Sequence, residues 1–326
     1  MPREAVAIAP EKLILREYEE QPLKSREVRV KSRLSAEKHG TMLPLFRGIQ
    51  PASFPIQMGN MTVGLVTEVG ENVSRFKAGD RVYGYLPIRE THTVPEERLW
   101  PAPPSVSDEE LVCVDPAAVA LMAVREGGVK LGENVAVFGL GAIGLMAVQL
   151  ARLSGALTVL GIDLLKRRRR LAEKYGADAV IDPKERDAAS ECRERTGGKG
   201  VDIVLETTGS YGALNQAIKG TRYGGTIVTV SWYHGEARGL RLGEEWHFNR
   251  QVMVSGARVE SEPYRDYPRW DRQRVYATVL ELFKRRALSV EGMLSPIVSF
   301  DEVVEAYRII CEKPEESVKL GIRYET

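Results

Sequence analysis

The sequence predicts an α/β protein in which a β-rich segment precedes a doubly wound parallel sheet, and three observations carry that expectation. Residues 1–110 alternate or cluster β-branched residues between glycines and prolines, as in EVRVKSRLS, GLVTEVG and RVYGYLP. From residue 134 short apolar strands alternate with helical stretches: ENVAVFG, LTVLGID, DAVI, VDIVLETT and GTIVTVS. Such strands lack a period of two because helices cover both faces of the sheet they form. Finally, Gly139, Gly141 and Gly144 join the first of these strands to its helix in G-x-G-x-x-G spacing.

Taken in order, EVGENVSRFKAGDRV reads as a strand–turn–strand unit, with Asn72 and Gly79-Asp80 supplying the turns. Residues 84–110, rich in Pro and Glu, suit a loop around short strands. AAVALMAVREGG reads as a helix ended by glycine, and the strand–helix series follows. VMVSGARV is expected to finish the sheet near residue 259. RQRVYATVLELFKRRALS and DEVVEAYRIICEKP are amphipathic. A chain of 326 residues accommodates two domains. The expected division is 1–120 for the first part of a β-rich domain, 121–259 for the parallel-sheet domain, and 260–326 for a segment returning to the first.

Composition narrows the partners. There are 46 basic and 45 acidic residues, so the net charge of +1 offers nothing to nucleic acid or to an anionic membrane. No run of 18 apolar residues predicts a spanning helix, and MPREAVAIAPEKL lacks the apolar core of a secretion signal. Cys113, Cys192 and Cys311 are odd in number and contain no CxxC, which favours a reducing compartment; the expected location is cytoplasmic.

The glycine turn is the most specific signal. Gly139 permits the tight turn, Gly141 lets the backbone approach a pyrophosphate, and Gly144 lets the helix pack close to the sheet. The N–H groups at the helix start, at Ala142 and Ile143, then face the phosphates. Asp163 ends the next strand, 19 residues after Gly144 (163 − 144), where a carboxylate accepts hydrogen bonds from an adenosine ribose diol. Like charge disfavours a 2′-phosphate there, so NAD is the expected cofactor. NADP stays open, because the run KRRRR at 166–170 pulls the other way. Arg168 suits a phosphate or the adenine face, while the run as a whole also reads as a solvated helix face. Thr207, Thr208 and Gly209, with Val230 and Ser231, fall at the carboxyl edge of the sheet, where a dinucleotide crosses.

The order of motifs, GNMTVG and AGDRV, then GLGAIG and GVDIVLETTG, then EAYRIICEKPEESVKLGIRY, resembles the medium-chain dehydrogenase/reductase superfamily on its zinc alcohol dehydrogenase side, over nearly the whole chain. The resemblance implies a GroES-like catalytic domain built from both chain ends, an inserted Rossmann domain, a small-molecule substrate and a homo-oligomer. It also implies positions for the chemistry. The family's zinc-binding Cys before Gly-Thr is His39 here, with Thr41 keeping the hydroxyl. In GNMTVG, Asn60 stands for the ligand histidine and Met61 for the adjacent glutamate. Asp115 is a candidate third ligand, and the four-Cys structural zinc loop is absent. Zinc prefers thiolate, imidazole and carboxylate, so no catalytic zinc is expected.

Hydride transfer without zinc requires another handler for the hydroxyl proton. By family resemblance Thr41 is placed beside the reacting oxygen; His39 is its nearest imidazole and also reads as a structural histidine, and Asp115 reads equally as orienting His39 or substrate and as a helix cap before Pro116. Pro44 interrupts the histidine relay common in the family. Asn60 and Met61, with Trp246, His247 and Arg250 from EEWHFNRQVMV, are the substrate-binding candidates. That last segment is similar to ones in a zinc-poor branch acting on sugar-like substrates, and it also suits a domain seam. The implied function is NAD-linked interconversion of a secondary alcohol and ketone, with a polyol or sugar-like substrate. The alternatives are an NADPH-dependent reductase of an activated double bond, resembling quinone reductases, and a non-catalytic cofactor-binding protein.

Overall fold

The computed structural model describes residues 1–256 and 269–325, and divides into two compact units, 1–113 with 290–326 and 114–289. The expected domain limit at residue 259 lies outside the described residues.

The first unit contains β1 (Arg3–Ala9), β2 (Lys12–Glu17), β3 (Glu27–Ala36), α1 (His39–Phe46), β4 (Ile56–Gln57), β5 (Met61–Val69), β6 (Arg81–Gly84), β7 (Thr91–Pro95), β8 (Leu99–Pro101) and α2 (Asp108–Leu111). The second runs through α3 (Val114–Glu126), β9 (Asn134–Phe138), α4 (Ala142–Leu153), β10 (Thr158–Ile162), α5 (Lys166–Lys174), β11 (Ala179–Ile181), α6 (Ala188–Glu194), β12 (Val201–Glu206), α7 (Tyr211–Gly220), β13 (Thr221–Thr229), α8 (Glu245–Phe248), β14 (Val252–Ser255) and α9 (Arg272–Lys284). The chain then returns to the first unit with β15 (Leu294–Ser299), α10 (Val303–Glu312) and β16 (Lys319–Arg323).

In the first unit a small sheet, β2-β1-β4, accompanies a seven-stranded sheet in the order β15-β16-β3-β5-β6-β8, with β7 also paired to β3. Val28, Val30 and Leu34 of β3 point inward at alternate positions, as a strand with one buried face requires. Val28 and Val30 join an apolar cluster with Val66, Phe76, Val82 and Leu99, and a second cluster gathers Phe46, Met58, Ile88, Tyr307 and Leu320. Phe46 meets Tyr307 edge-on at 5.4 Å, seating α1 against α10. Register matters most at one end of this sheet. Ala36 faces Met61 on one side and Gly321 on the other. Residues 37–39, 59–60 and 319–320 therefore collect at the same strand ends.

The second unit is a six-stranded, wholly parallel sheet in the order β11-β10-β9-β12-β13-β14. The order reverses between β9 and β12, and the doubly wound arrangement leaves the carboxyl ends of β9, β10 and β12 as the ligand-binding edge. Its core includes Ala136, Phe138, Leu160, Val204, Leu214 and Ile227. No helix among the described residues is long and apolar enough to cross a membrane.

Candidate cofactor cradle and active-site residues

The turn after β9 accounts for each glycine separately. Gly139 has φ +86°, and an added Cβ would lie 2.8 Å from both Thr207 Oγ1 and Thr208 Cγ2. A Cβ on Gly144 would meet the Gly139 carbonyl oxygen at 1.8 Å, so α4 approaches the turn as closely as it does only without a side chain. At Gly141 the same test finds no atom within 4 Å. That side leaves the backbone open. α4 starts there with no side-chain cap and no acid in its first turn, leaving its N–H dipoles for an anion. Thr207 closes the floor, its N–H donating to Phe138 O at 2.8 Å and its hydroxyl to Gly139 O at 2.8 Å.

Asp163, buried just beyond β10, holds the cradle from the other side. Its Oδ2 accepts the Leu140 N–H at 2.7 Å, and its Oδ1 accepts the Leu165 N–H at 2.8 Å. Each carboxylate oxygen keeps a second lone pair for a diol. The basic run divides on α5. Lys166, Arg167 and Arg170 are exposed. Arg169 is tied to the Asp163 carbonyl and to Asp182, and Arg168 lies half-buried, 3.9 Å from the Asp163 carboxylate. Burial lowers the Arg168 pKa against the opposing pull of Asp163.

In the first unit, Glu37 and Lys38 form a two-residue link from β3 into α1, which carries His39 and Thr41, both half-buried, in its first turn. This link is laced to β16. Glu37 N donates to Leu320 O at 3.0 Å, Lys319 Nζ donates to Glu37 O at 2.7 Å, and Leu320 N donates to His39 Nε2 at 3.0 Å. The last bond makes Nε2 the unprotonated nitrogen of a neutral imidazole. Glu37 itself is wholly buried, and its Oε1 accepts the Lys38 N–H at 2.7 Å. Burial, opposed by the Lys38 and Gly59 amides and by Lys319, pushes its pKa up to about 7. Asn60 N donates to Ala36 O at 3.1 Å, which fixes the GNMTVG turn beside the same link.

Residues 24–103 match the family described as Alcohol dehydrogenase GroES-like domain, and residues 142–271 that described as Zinc-binding dehydrogenase. The chain is 37% identical to D-guloside 3-dehydrogenase of Escherichia coli (strain K12), covering 99% of this chain and 100% of that protein. It is 32% identical to (R,R)-butanediol dehydrogenase of Bacillus subtilis (strain 168), over 82% and 81% of the two chains. The crystal structure of 2R,3R-butanediol dehydrogenase from Bacillus subtilis superposes with a TM-score of 0.82 at 27% identity, covering 99% of each chain. This chain belongs to the medium-chain dehydrogenase/reductase superfamily, on its zinc alcohol dehydrogenase-like side. It is an NAD(P)-dependent oxidoreductase.

Because many members of this superfamily hold a catalytic zinc, the residues at the corresponding positions need testing against that ion. Zinc requires several anionic or imidazole donors converging tetrahedrally. Here the His39 Nε2 lone pair receives a backbone N–H, Asn60 offers a neutral amide, and Met61 is fully buried within β5. No group of three or more His, Cys, Asp and Glu among the described residues is arranged to hold a metal. This donor set does not fit a zinc centre.

The other expected site residues are placed as follows. Asp115 is buried in the first turn of α3, next to Pro116. Trp246 packs against the apolar core of the second unit, and its indole nitrogen is buried with no hydrogen-bond partner. His247 and Arg250 are exposed, Arg250 with φ +51°. Val230 is buried and Ser231 half-buried beyond β13. Two groups escaped the sequence reading. Glu206 receives four donors at the sheet edge, and Lys319, buried at 2% exposure, reaches across 282 residues to Glu37. The available signal was the same in both: a charged residue at one end of a mainly apolar strand.

Proposed function

We propose that this protein oxidises a secondary alcohol of a sugar-like or polyol substrate to the ketone, reversibly, with NAD as hydride acceptor and without zinc. The observation that carries this reading is the full-length likeness to a D-guloside 3-dehydrogenase, combined with an intact dinucleotide cradle. Bound nicotinamide supplies the two-electron acceptor. In this reading the α4 start and Gly141 hold the pyrophosphate, Asp163 accepts from the adenosine ribose diol, and Asp163 favours NAD over NADP by charge. Thr41 passes the substrate hydroxyl proton through its own hydroxyl to water, so that one proton is released with each NADH formed. His39, with Nε2 receiving the Leu320 amide, holds the start of α1 in register rather than acting as the terminal base. Asn60 and its turn face the substrate. We also read the protein as a cytoplasmic homo-oligomer. No disulfide joins Cys113, Cys192 and Cys311, and the edge strand β14 leaves Val252 half exposed.

The test is NADH formation, followed by absorbance, on a panel of alkyl glycosides and polyols, before and after dialysis against a strong zinc chelator. Turnover of at least one sugar-like alcohol, changed less than about twofold by the chelator, is expected. Complete loss restored by added zinc overturns the metal-free chemistry. Turnover confined to conjugated enones overturns the substrate class.

A further inference from the structure

Glu206 ends β12 with no solvent exposure and without a neighbouring Lys or Arg in its hydrogen-bond set. A buried carboxylate is costly to hold unless dipoles surround it, and here they come from two different turns. From the turn after β12, Thr208 N donates to Oε1 at 2.8 Å, the Thr208 hydroxyl donates to the same oxygen, and Gly209 N donates to Oε2 at 3.3 Å. From the turn after β13, the Tyr233 phenol donates to Oε2. The Glu206 backbone carbonyl adds a fifth tie, accepting the Val230 N–H at 2.9 Å. Tyr233 is itself seated against Tyr211, ring centroids 5.1 Å apart. The two turns touch closely: a Cβ on Gly209 would lie 2.9 Å from Ser231 Oγ.

These donors are spent on the carboxylate. The Thr208 and Gly209 N–H groups point at Glu206, and the Thr208 hydroxyl also accepts the Ser210 N–H at 2.9 Å. Thr208 therefore serves its own turn rather than offering its side chain to a ligand. Asp163 stands on the β9–β10 side of the switch point, which takes the adenosine half of a dinucleotide, so the β12–β13 side takes the nicotinamide half.

Resting on the dinucleotide reading above, we propose that Glu206 and Tyr233 are positioning residues for the nicotinamide half of the cofactor: one carboxylate, clamped by one phenol, fixes both turns that this half crosses. Neither side chain needs to touch the cofactor.

The experiment compares wild type with Tyr233→Phe, which keeps ring packing and removes one donor, and with Glu206→Gln. NADH affinity is read by fluorescence titration, and AMP affinity by competition, since AMP probes the adenosine half alone. The expected result for Tyr233→Phe is NADH binding weakened about tenfold, a matching rise in KM for NAD, and AMP affinity within twofold of wild type. Glu206→Gln is expected to show the same split, more strongly. Unchanged NADH affinity in Tyr233→Phe overturns the proposal, and so does equal weakening of NADH and AMP, which marks general loosening. Wild-type protein that takes up neither nucleotide would sink the dinucleotide reading itself, and this inference with it.

Discussion

In the second unit the groups offered to a ligand are backbone N–H groups, shaped by Gly139, Gly141 and Gly144. In the first unit the corresponding family positions are side chains, and they stand as His39, Asn60 and Met61. The contrast shows which kind of site tolerates substitution. A cradle made of backbone depends on the absence of side chains. At Gly144 any Cβ would collide with the Gly139 carbonyl 1.8 Å away, so no replacement preserves the geometry. A site made of side chains changes its chemistry while the strands that carry it stay in register, as the Ala36–Met61 and Ala36–Gly321 pairs do. Glycines thus mark the fold and the cofactor together, whereas the reaction is written in positions that the fold leaves free.

The sharpest way to break the comparison is at the cradle. Gly144→Val is expected to abolish NADH binding and to destabilise the second unit by roughly 3–5 kcal/mol, because the clash is with backbone that cannot move aside. Retained binding, measured by fluorescence titration, would show that the turn is adaptable after all.

Next come two buried groups of the first unit, Glu37 in the lacing to β16 and His92 in β7 beside Ser32, which titrate in opposite senses. Burial raises Glu37 to about 7 from 4.5, so the folded state holds a proton that the unfolded state has released between those values. Its contribution is therefore complete below about pH 4.5 and lost as pH rises through 7, a change of about 3 kcal/mol. His92 is also buried, with Arg89 and Arg98 adding to the effect, and falls to about 3 from 6.5. Its contribution is present above 6.5 and lost as pH falls toward 3. The two slopes oppose each other between pH 4.5 and 6.5. Glu37→Gln removes one of them, so its melting temperature is expected to gain on wild type steadily from pH 4.5 to 7. A difference independent of pH would mean that Glu37 does not titrate in this window.

A smaller effect is expected from Thr41→Val: a fall in kcat of roughly a hundredfold with NADH affinity unchanged, as for loss of a group passing a proton. Normal kcat removes Thr41 from the chemistry. Smallest is Asp163→Asn, which keeps the side-chain shape and one of the two accepting oxygens but removes the charge; the preference for NAD over NADP is expected to narrow by about tenfold. Both cofactors assayed in parallel measure that ratio directly. An unchanged ratio would assign the choice to Arg168 or to residues beyond this strand end.

The sequence made the second unit readable because its signals are local. Strand, glycine turn, helix and acid lie within 30 residues, and each has its own physical reason. The first unit was readable in kind, since the alternation of EVRVKSRLS marks a strand with one buried face, but its long-range ties were not. Nothing near His39 announces that Leu320 donates to its ring, or that Lys319 reaches the Glu37 carbonyl. The arginine run was half legible: α5 turns Lys166, Arg167 and Arg170 to solvent, while Arg169 locks onto Asp182. Glu206 was visible in VDIVLETT as an acid after five strand residues, but its partner Tyr233 lies 27 residues on, in a segment without regular structure.

The amide of Leu320 reaches the imidazole of His39 from the last strand of the chain. Cutting the polypeptide before that strand, or forcing it out of the sheet with a bulky fusion, would take this donor away from the ring. The NMR shifts of the imidazole of residue 39 would then report on whether the two ends of the polypeptide have met, and would make that meeting observable during refolding.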